Sequence, residues 1–452
     1  MDTNIEKFGY KQELKRELST FDLVTFGLIY LGPLGSLVMY GIITTNSQGQ
    51  PILSCLTAFI AVIFTCYSYS QMVKVYPMAG AAYTYTSRTM GSKAGFIFGW
   101  ALILDYFFVP MLILTITSMY ASRQFGIMPF WGYLAVYLIL ISAINILGSK
   151  VMSKTNAIFI ALMYLVVFLF LFLGIRYLIV NQIQVDLLKP IIDFDNFNLM
   201  AVSAGAIIMI VQYLGFDAIT VMAEDSTEKT VKNIGKALFI CATFYTVILL
   251  LIFYVGELIM PDYTLFEAPN TAMIELGNLI GGTTYTTIAV TLKVITVIAA
   301  GVVAQASASR LLYGMGRDGV LARSLFGKIN VRFKTPVRTI IFMSVITFMG
   351  GLFISVGTLS EVVSFGALIA FLGVNASVII HFHIINKKGK WHHIVFPLLG
   401  IIVTGYVLVG MSPVAKIMGL SWIAIGIAYM LIRSAVQPSF KEILKKDIFS
   451  ET

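Results

Sequence analysis

The sequence predicts an all-α integral membrane protein with twelve transmembrane helices. Three observations carry that expectation: a shortage of charge, apolar runs of membrane-spanning length along the whole chain, and a one-sided distribution of Lys and Arg. Of 452 residues, 58% are hydrophobic and 12% charged, against about 25% charged in a soluble domain. Lipid solvates so apolar a surface; water does not.

A helix needs about 20 residues to cross the hydrocarbon. Apolar runs between polar breaks give spans at 21–44, 51–73, 95–120, 130–148, 155–178, 199–224, 235–258, 283–313, 338–356, 361–383, 394–412 and 416–434. The more charged connections are 74–94, 225–234, 314–337 and 384–393. Residues 1–20 are polar and of mixed charge, without the basic-then-apolar layout of a signal peptide, and read as a cytosolic tail. Residues 435–452 read as a second one, which leaves 21–434 as a single transmembrane domain.

With the N-terminus in the cytoplasm, the charges sort themselves. Of 31 Lys and Arg, only Arg123, Arg176, Lys189 and Lys416 fall on the outside, and only Lys293 inside a span. The rest occupy inner segments and inner helix ends, as the positive-inside rule requires. The net charge of +9 is thus a topology signal that puts both termini in the cytoplasm of a multi-pass protein, and not the basic patch of a nucleic-acid binder.

Two spans contain a helix-breaking centre. Tyr30-Leu31-Gly32-Pro33-Leu34-Gly35 interrupts the first and Tyr213-Leu214-Gly215-Phe216-Asp217 the sixth. Aligned on Tyr-Leu-Gly, the segments agree again at Val38-Met39 and Val221-Met222. A unit of five helices has an odd number of crossings, so its repeat enters from the opposite side. The expected organisation is therefore a five-plus-five inverted repeat, about 21–178 and 199–383, followed by two extra helices at 394–434. Transporters built this way hold substrate at broken helices near the bilayer midplane. Chance recurrence of Tyr-Leu-Gly in an apolar-biased chain is the competing explanation.

Charges at the bilayer centre cost at least about 2.5–3.5 kcal/mol each and tend to mark function. Asp105 in the third span, Lys293 in the eighth and Asp217 in the sixth-span break fall near the middle, with Glu224 one to two turns further along. Each has a structural alternative. Asp105 and Lys293 could form a pair that only holds helices together. Asp217 could cap the second half of its helix. Glu224 could sit at the interface beside Lys229 or Lys232. Pro33 removes one backbone donor at the first break, and Asp217 puts negative charge at the second. The midplane therefore suits a cation better than a carboxylate. Tyr30, Trp100, Tyr106, Tyr213 and Phe216 stand near the acids, and desolvated ring faces attract ammonium groups by about 0.5–2 kcal/mol. In a chain with 13% aromatic residues, ordinary packing explains such rings equally well.

Other signals are negative. Cys55, Cys66 and Cys241 sit singly in apolar runs and read as small apolar side chains. His381, His383, His392 and His393 all flank one inner connection, without an accompanying Cys or carboxylate cluster, and read as a solvated loop rather than a metal site. No phosphate-binding loop, zinc motif or nucleophile elbow is present. Neither an enzyme nor a resident cofactor is expected.

Further motifs add a resemblance. Pro77 through Tyr85 (PMAGAAYTY), Gly215-Phe216-Asp217-Ala218 leading to Ala223-Glu224-Asp225, Ser309-Arg310-Leu311-Leu312-Tyr313 with Met315, Arg317, Asp318 and Gly319, and Phe365 through Phe371 (FGALIAF) span most of the chain. Together with the interrupted first span, the set resembles the amino acid–polyamine–organocation (APC) superfamily. Leu104-Asp105-Tyr106 with Pro110-Met111, and the Tyr-Leu-Gly-Phe-Asp-Ala run, make it most similar to bacterial putrescine importers within it. The resemblance implies a LeuT-type fold, proton-coupled uptake and a place in the cell membrane. It implies a small-molecule substrate, either a diamine such as putrescine or, as the alternative, an amino acid. Together with the breaks, it makes Gly32, Pro33, Asp105, Tyr106, Tyr213, Phe216 and Asp217 the expected substrate-binding residues, and Glu224 and Lys293 the expected coupling or gating residues. Two departures stand out. The glycine-rich break usual in amino-acid carriers is here Gly32-Pro33-Leu34-Gly35. The lysine that many proton-coupled members carry in the fifth span is absent between Thr155 and Gly174. The residues carry no signal for an oligomeric state.

Overall fold

The structure is a computed structural model that describes residues 19–77, 81–147, 153–183, 186–194, 197–221, 228–317, 321–330, 332–333, 335–437 and 440. Every regular element among the described residues is helical. Fifteen α-helices follow one another: α1 (Thr20–Leu31), α2 (Leu34–Asn46), α3 (Pro51–Val75), α4 (Ala81–Met90), α5 (Ser92–Phe125), α6 (Phe130–Leu147), α7 (Ser153–Val180), α8 (Leu199–Tyr213), α9 (Ala218–Val221), α10 (Glu228–Ile259), α11 (Ala272–Arg317), α12 (Val337–Phe353), α13 (Val356–Ile379), α14 (His392–Val409) and α15 (Pro413–Val436).

Nine of the described helices are long and apolar enough to cross a bilayer, ten when the bent pair α1–α2 counts as one span. Helices α8 and α12, with 15 and 17 residues, are apolar but shorter. They occupy the sixth and ninth expected spans.

The first break follows from local chemistry. A reciprocal capping box starts α1: the Ser19 hydroxyl accepts from the Asp22 N–H at 3.3 Å, and the Asp22 carboxylate accepts from the Ser19 N–H at 2.8 Å. The helix ends on Gly32, which has φ of 57° and donates its N–H to the Leu28 carbonyl. Glycine alone adopts that conformation without a steric penalty. Pro33 follows with φ of −59°, already set for a helix, and with no N–H to strand. The chain restarts as α2, bent by 41°.

The second break is built differently. Asn198 caps α8 by accepting from the N–H groups of Met200 and Ala201. After Tyr213 the chain turns through Leu214–Asp217, with Gly215 at φ of 106°, before the single turn of α9. The glycine of each Tyr-Leu-Gly therefore takes a positive φ. Glu224, with the rest of 222–227, lies outside the described residues.

Three features depart from expectation. The connection 74–94 contains helix α4, hidden in the sequence because Arg88 and Lys93 punctuate a run of small residues. It packs on α5, where Gly95 lies against Ser87 and Gly99 against the Tyr83 ring. Helix α11 starts at Ala272, well before the expected 283, and kinks at Gly282, where φ is 63°. Helix α13 continues as a π-helical turn over Ile380–Ile385, and three of the four histidines in and after it are packed rather than solvated. His381 is buried between Tyr76 and Asn386, the Tyr67 hydroxyl lies 2.6 Å from His392 Nδ1, and His393 stacks on Phe382 at 3.9 Å.

Replacing Gly215 with Ala forces a side chain onto a positive φ at the centre of the bundle. The expected destabilisation is at least about 1–3 kcal/mol, seen as a lowered unfolding temperature of the detergent-purified protein. An unchanged melting temperature would show that this backbone relaxes.

Candidate functional site

The two breaks meet. The ring of Tyr30, two residues before Gly32, occupies the space that a Cβ on Gly215 would need. One turn before that glycine, Gln212 reaches α2, where its Oε1 would lie 3.2 Å from a Cβ on Gly35. Each break is thus closed by the other: an aromatic ring fits over one bare backbone, and an amide reaches the next.

A cavity of about 90 Å³ opens at this junction, room for several waters or a slender solute. Its walls come from the first break (Tyr30, Gly32, Gly35), from Val38 and Met39 of α2, and from α5 between Val109 and Ile116. Met163 of α7, Gln212 and Leu214 at the second break, and Lys293 and Thr296 of α11 complete it. Lys293 is its charged wall residue. The Thr296 hydroxyl donates to the Lys293 carbonyl at 3.3 Å. Among the described residues, no ion pair reaches the Lys293 ammonium, and no hydrogen bond does either. The pairing of Asp105 with Lys293, one of the two sequence alternatives, is not formed.

Asp105 and Asp217 do not line the cavity and are 6% and 4% exposed. They are within electrostatic reach of each other, and Tyr30, Tyr69 and Tyr106 are within reach of both. Asp105 owes its place to a close approach of α13 to α5. A Cβ on Gly366 would stand 2.6 Å from the Ala101 carbonyl oxygen and 2.9 Å from the Asp105 nitrogen. The FGALIAF motif is therefore the surface that lets α13 back onto the acid. Asp217 immediately precedes α9, and its carbonyl accepts from the Thr220 N–H at 2.8 Å, the position a capping residue takes. Phe216 is fully buried, edge-on to Tyr69 at 5.7 Å and against Phe371 at 5.4 Å.

Of the residues singled out from sequence, the structure brings Gly32 and Lys293 to the cavity wall. It buries Pro33 beside it and brings Asp105, Tyr106 and Asp217, with Phe216, into the neighbourhood of Tyr30 but off the cavity wall. Tyr213 goes elsewhere: its hydroxyl lies 2.8 Å from Thr246 Oγ1 and 3.8 Å from Cys55 Sγ, tying α8 to α10 and α3. Trp100 stacks on Trp422 at 5.0 Å, and the two indole N–H groups donate reciprocally to each other's backbone carbonyls, so it clasps α5 to α15. Sequence reasoning missed Gln212, whose Oε1 accepts from the Tyr245 hydroxyl at 3.3 Å. A lone amide in an apolar run beside the second break was the available signal. The aliphatic wall gives none, because it looks like any other lipid or core residue.

A helical bundle with two interrupted helices closed against each other beside an internal cavity is the architecture of a membrane solute carrier. The family model for amino acid permeases matches residues 18–437. The chain belongs to this family, within the APC superfamily, and is a multi-pass membrane transporter, not an enzyme. It is 29% identical over 449 residues, 98% of both chains, to the low-affinity putrescine importer PlaP of Escherichia coli (strain K12). It is 27% identical over 447 residues, 92% of both chains, to the methylthioribose transporter of Bacillus subtilis (strain 168). The branched-chain amino acid permease BcaP of the same organism is 25% identical over 402 residues, 82% of both chains.

Gly366→Val puts a branched side chain where α13 touches the α5 backbone at Asp105. Overpacking of this kind costs about 1–3 kcal/mol. The expected result is a lower melting temperature together with loss of transport. Full transport in reconstituted vesicles would show that the approach of α13 does not position the site.

Proposed function

We propose that this permease imports a small organic cation, with putrescine the leading candidate, by proton symport across the cell membrane. The observation that carries the reading is the buried pair Asp105 and Asp217 beside the two breaks, surrounded by Tyr30, Tyr69, Tyr106 and Phe216. Two carboxylates in a low-dielectric place repel each other, and a substrate with two ammonium groups offsets that repulsion. The similarity to PlaP along nearly the whole chain supports the same substrate class.

Twelve spans in a five-plus-five inverted repeat, with both termini cytoplasmic, are part of this proposal. The distribution of Lys and Arg supports it, as do the matching positive φ of Gly32 and Gly215. In this arrangement Gly32, Pro33 and Tyr30 form the substrate side of the first break. Asp217, Phe216 and Tyr106 form the opposing side, and Tyr213 holds α8 in place. Lys293 serves as the coupling group, because a charged ammonium on the cavity wall opposes a cationic substrate and favours it only after giving up its proton. Glu224 is the second coupling candidate.

One observation favours a different substrate. An ammonium on the wall that pairs with no acid among the described residues also suits a carboxylate, which makes an amino-acid permease, in line with the similarity to BcaP, the second reading. Thermal-shift measurements separate the two: diamines should stabilise the purified protein, and stabilisation by amino acids alone would overturn the putrescine reading.

Asp105→Asn should weaken diamine binding tenfold or more, since a desolvated charged hydrogen bond is worth about 1.5–3 kcal/mol. Unchanged affinity in a well-folded variant would make Asp105 a purely structural residue. Lys293→Met and Lys293→Arg proteoliposomes should retain exchange but lose concentrative uptake driven by an inward proton gradient, because neither side chain releases a proton. Concentrative uptake by Lys293→Met with the parent pH profile would move coupling to another group.

A further inference from the structure

A buried acid stands outside the cavity and outside every role assigned so far. Glu257, near the end of α10, is 3% exposed. The Tyr40 hydroxyl of α2 donates to its Oε1 at 3.1 Å, and no Lys or Arg among the described residues forms an ion pair with it. Tyr40 is wedged in place: its ring lies on Gly256, stacks on Phe253 at 5.3 Å and meets Phe266 edge-on at 6.0 Å. Helix α2 is the half of the broken first span whose Val38 and Met39 line the cavity. The contact with Glu257 is therefore a fastening on another face of a half-helix that forms the cavity wall.

We propose that Glu257 is a proton-binding latch on this half-helix: ionised, it holds α2 to α10 through Tyr40, and protonated, it lets α2 move and open the cavity. A hydrogen bond to an ionised carboxylate is roughly twice as strong as one between neutral groups, so a proton weakens the fastening without removing it. Thr44 lies one turn after Tyr40, on the same face of α2 and near the carboxyl. Its hydroxyl is buried beside that carboxyl, and a hydroxyl both donates to an ionised carboxylate and accepts from a protonated one. The titratable or charged groups facing Glu257 are Tyr40 from α2 and Lys189 from the segment before α8. The residues packed around the contact from α10 and from the connection before α11, Phe253 and Phe266, do not titrate. Lys189 is exposed, at the end of the bundle that the charge distribution puts outside, so the latch sits where external protons arrive. Its purpose rests on the proton-symport reading; its existence does not.

A cysteine at Val38 reads the cavity without any substrate. Labelling of purified Val38→Cys by a maleimide is followed across pH and divided by the rate of the same cysteine in a Glu257→Gln background, which cancels the thiol's own titration. The native cysteines are buried, and the protein lacking the Val38 substitution serves as the blank. The ratio should fall roughly tenfold from acid to alkaline pH, the factor expected when a hydrogen bond doubles in strength. Tyr40→Phe should label fast and without that extra pH dependence, which provides a second variant should Glu257→Gln fail to fold. A flat ratio, or no labelling at any pH, overturns the latch. Failure of putrescine uptake with a ratio that still changes would overturn the proposed substrate and leave the latch standing.

Discussion

Backbone hydrogen bonding in a medium without water governs this structure. An unpaired N–H or carbonyl in hydrocarbon costs several kcal/mol, so a helix can open only where protein covers the gap. Two such openings, at Gly32 and Gly215, meet in the bundle, and each is covered by the other. Tyr30 closes over the Gly215 backbone, and Gln212 reaches Gly35. The cavity, the acids near Tyr30 and the position of Lys293 all follow from that mutual closure. Where the two glycines take a positive φ, the chain exposes backbone that a continuous helix would have hidden.

The remainder of the bundle makes that arrangement rigid with polar contacts that lipid cannot compete for. Asn375 of α13 donates to Thr65 and accepts from Ser68, both on α3, at 3.0 and 2.6 Å. Asn145 donates to Gln305 at 2.8 Å, and Gln305 donates to Ser344 at 3.0 Å, joining α6, α11 and α12. At one end of the bundle Arg123 joins α5 to the start of α11 through Thr271, Glu275 and Glu267. Such bonds have no apolar substitute in a membrane, where packing and interhelical hydrogen bonds replace the hydrophobic effect between helices. Trp100 and Trp422 do the same by stacking.

Charge is placed with equal economy. The cavity wall carries one ammonium, the surroundings of Tyr30 two carboxylates off that wall, and another face of α2 a third carboxylate held by a hydroxyl. None of the three acids forms an ion pair with Lys293. Ionisable groups in a low dielectric respond strongly to any arriving charge, and a substrate or a proton is such an arrival. An ion pair between Lys293 and Asp105 would have consumed that response in holding the helices together.

The sequence by itself determined the class of the protein. The apolar runs, the Lys and Arg asymmetry and the paired Tyr-Leu-Gly breaks are one-dimensional signals, because the bilayer acts on each span separately and glycine and proline act on their own backbone. It also marked Gly32 and Lys293, which reach the cavity, because an intramembrane charge and a helix break are conspicuous locally. Tertiary structure decided what those residues face. Asp105 and Lys293, equally deep on different helices, were one possible pair, and the fold puts Lys293 on the cavity wall and Asp105 off it. Tyr213 and Trp100 looked like an aromatic lining, and packing turned them toward α3, α10 and α15. Glu257 was not marked by the sequence pattern at all, and only the wedge of Tyr40 between Phe253 and Phe266 shows it enclosed. Helix α4 and the early start of α11 were invisible for the same reason: contact with a neighbour stabilises them, and an apolar run does not mark them. The direction in which a side chain points around a helix depends on what packs against that helix, and a linear pattern in which nearly every residue is apolar does not contain that information.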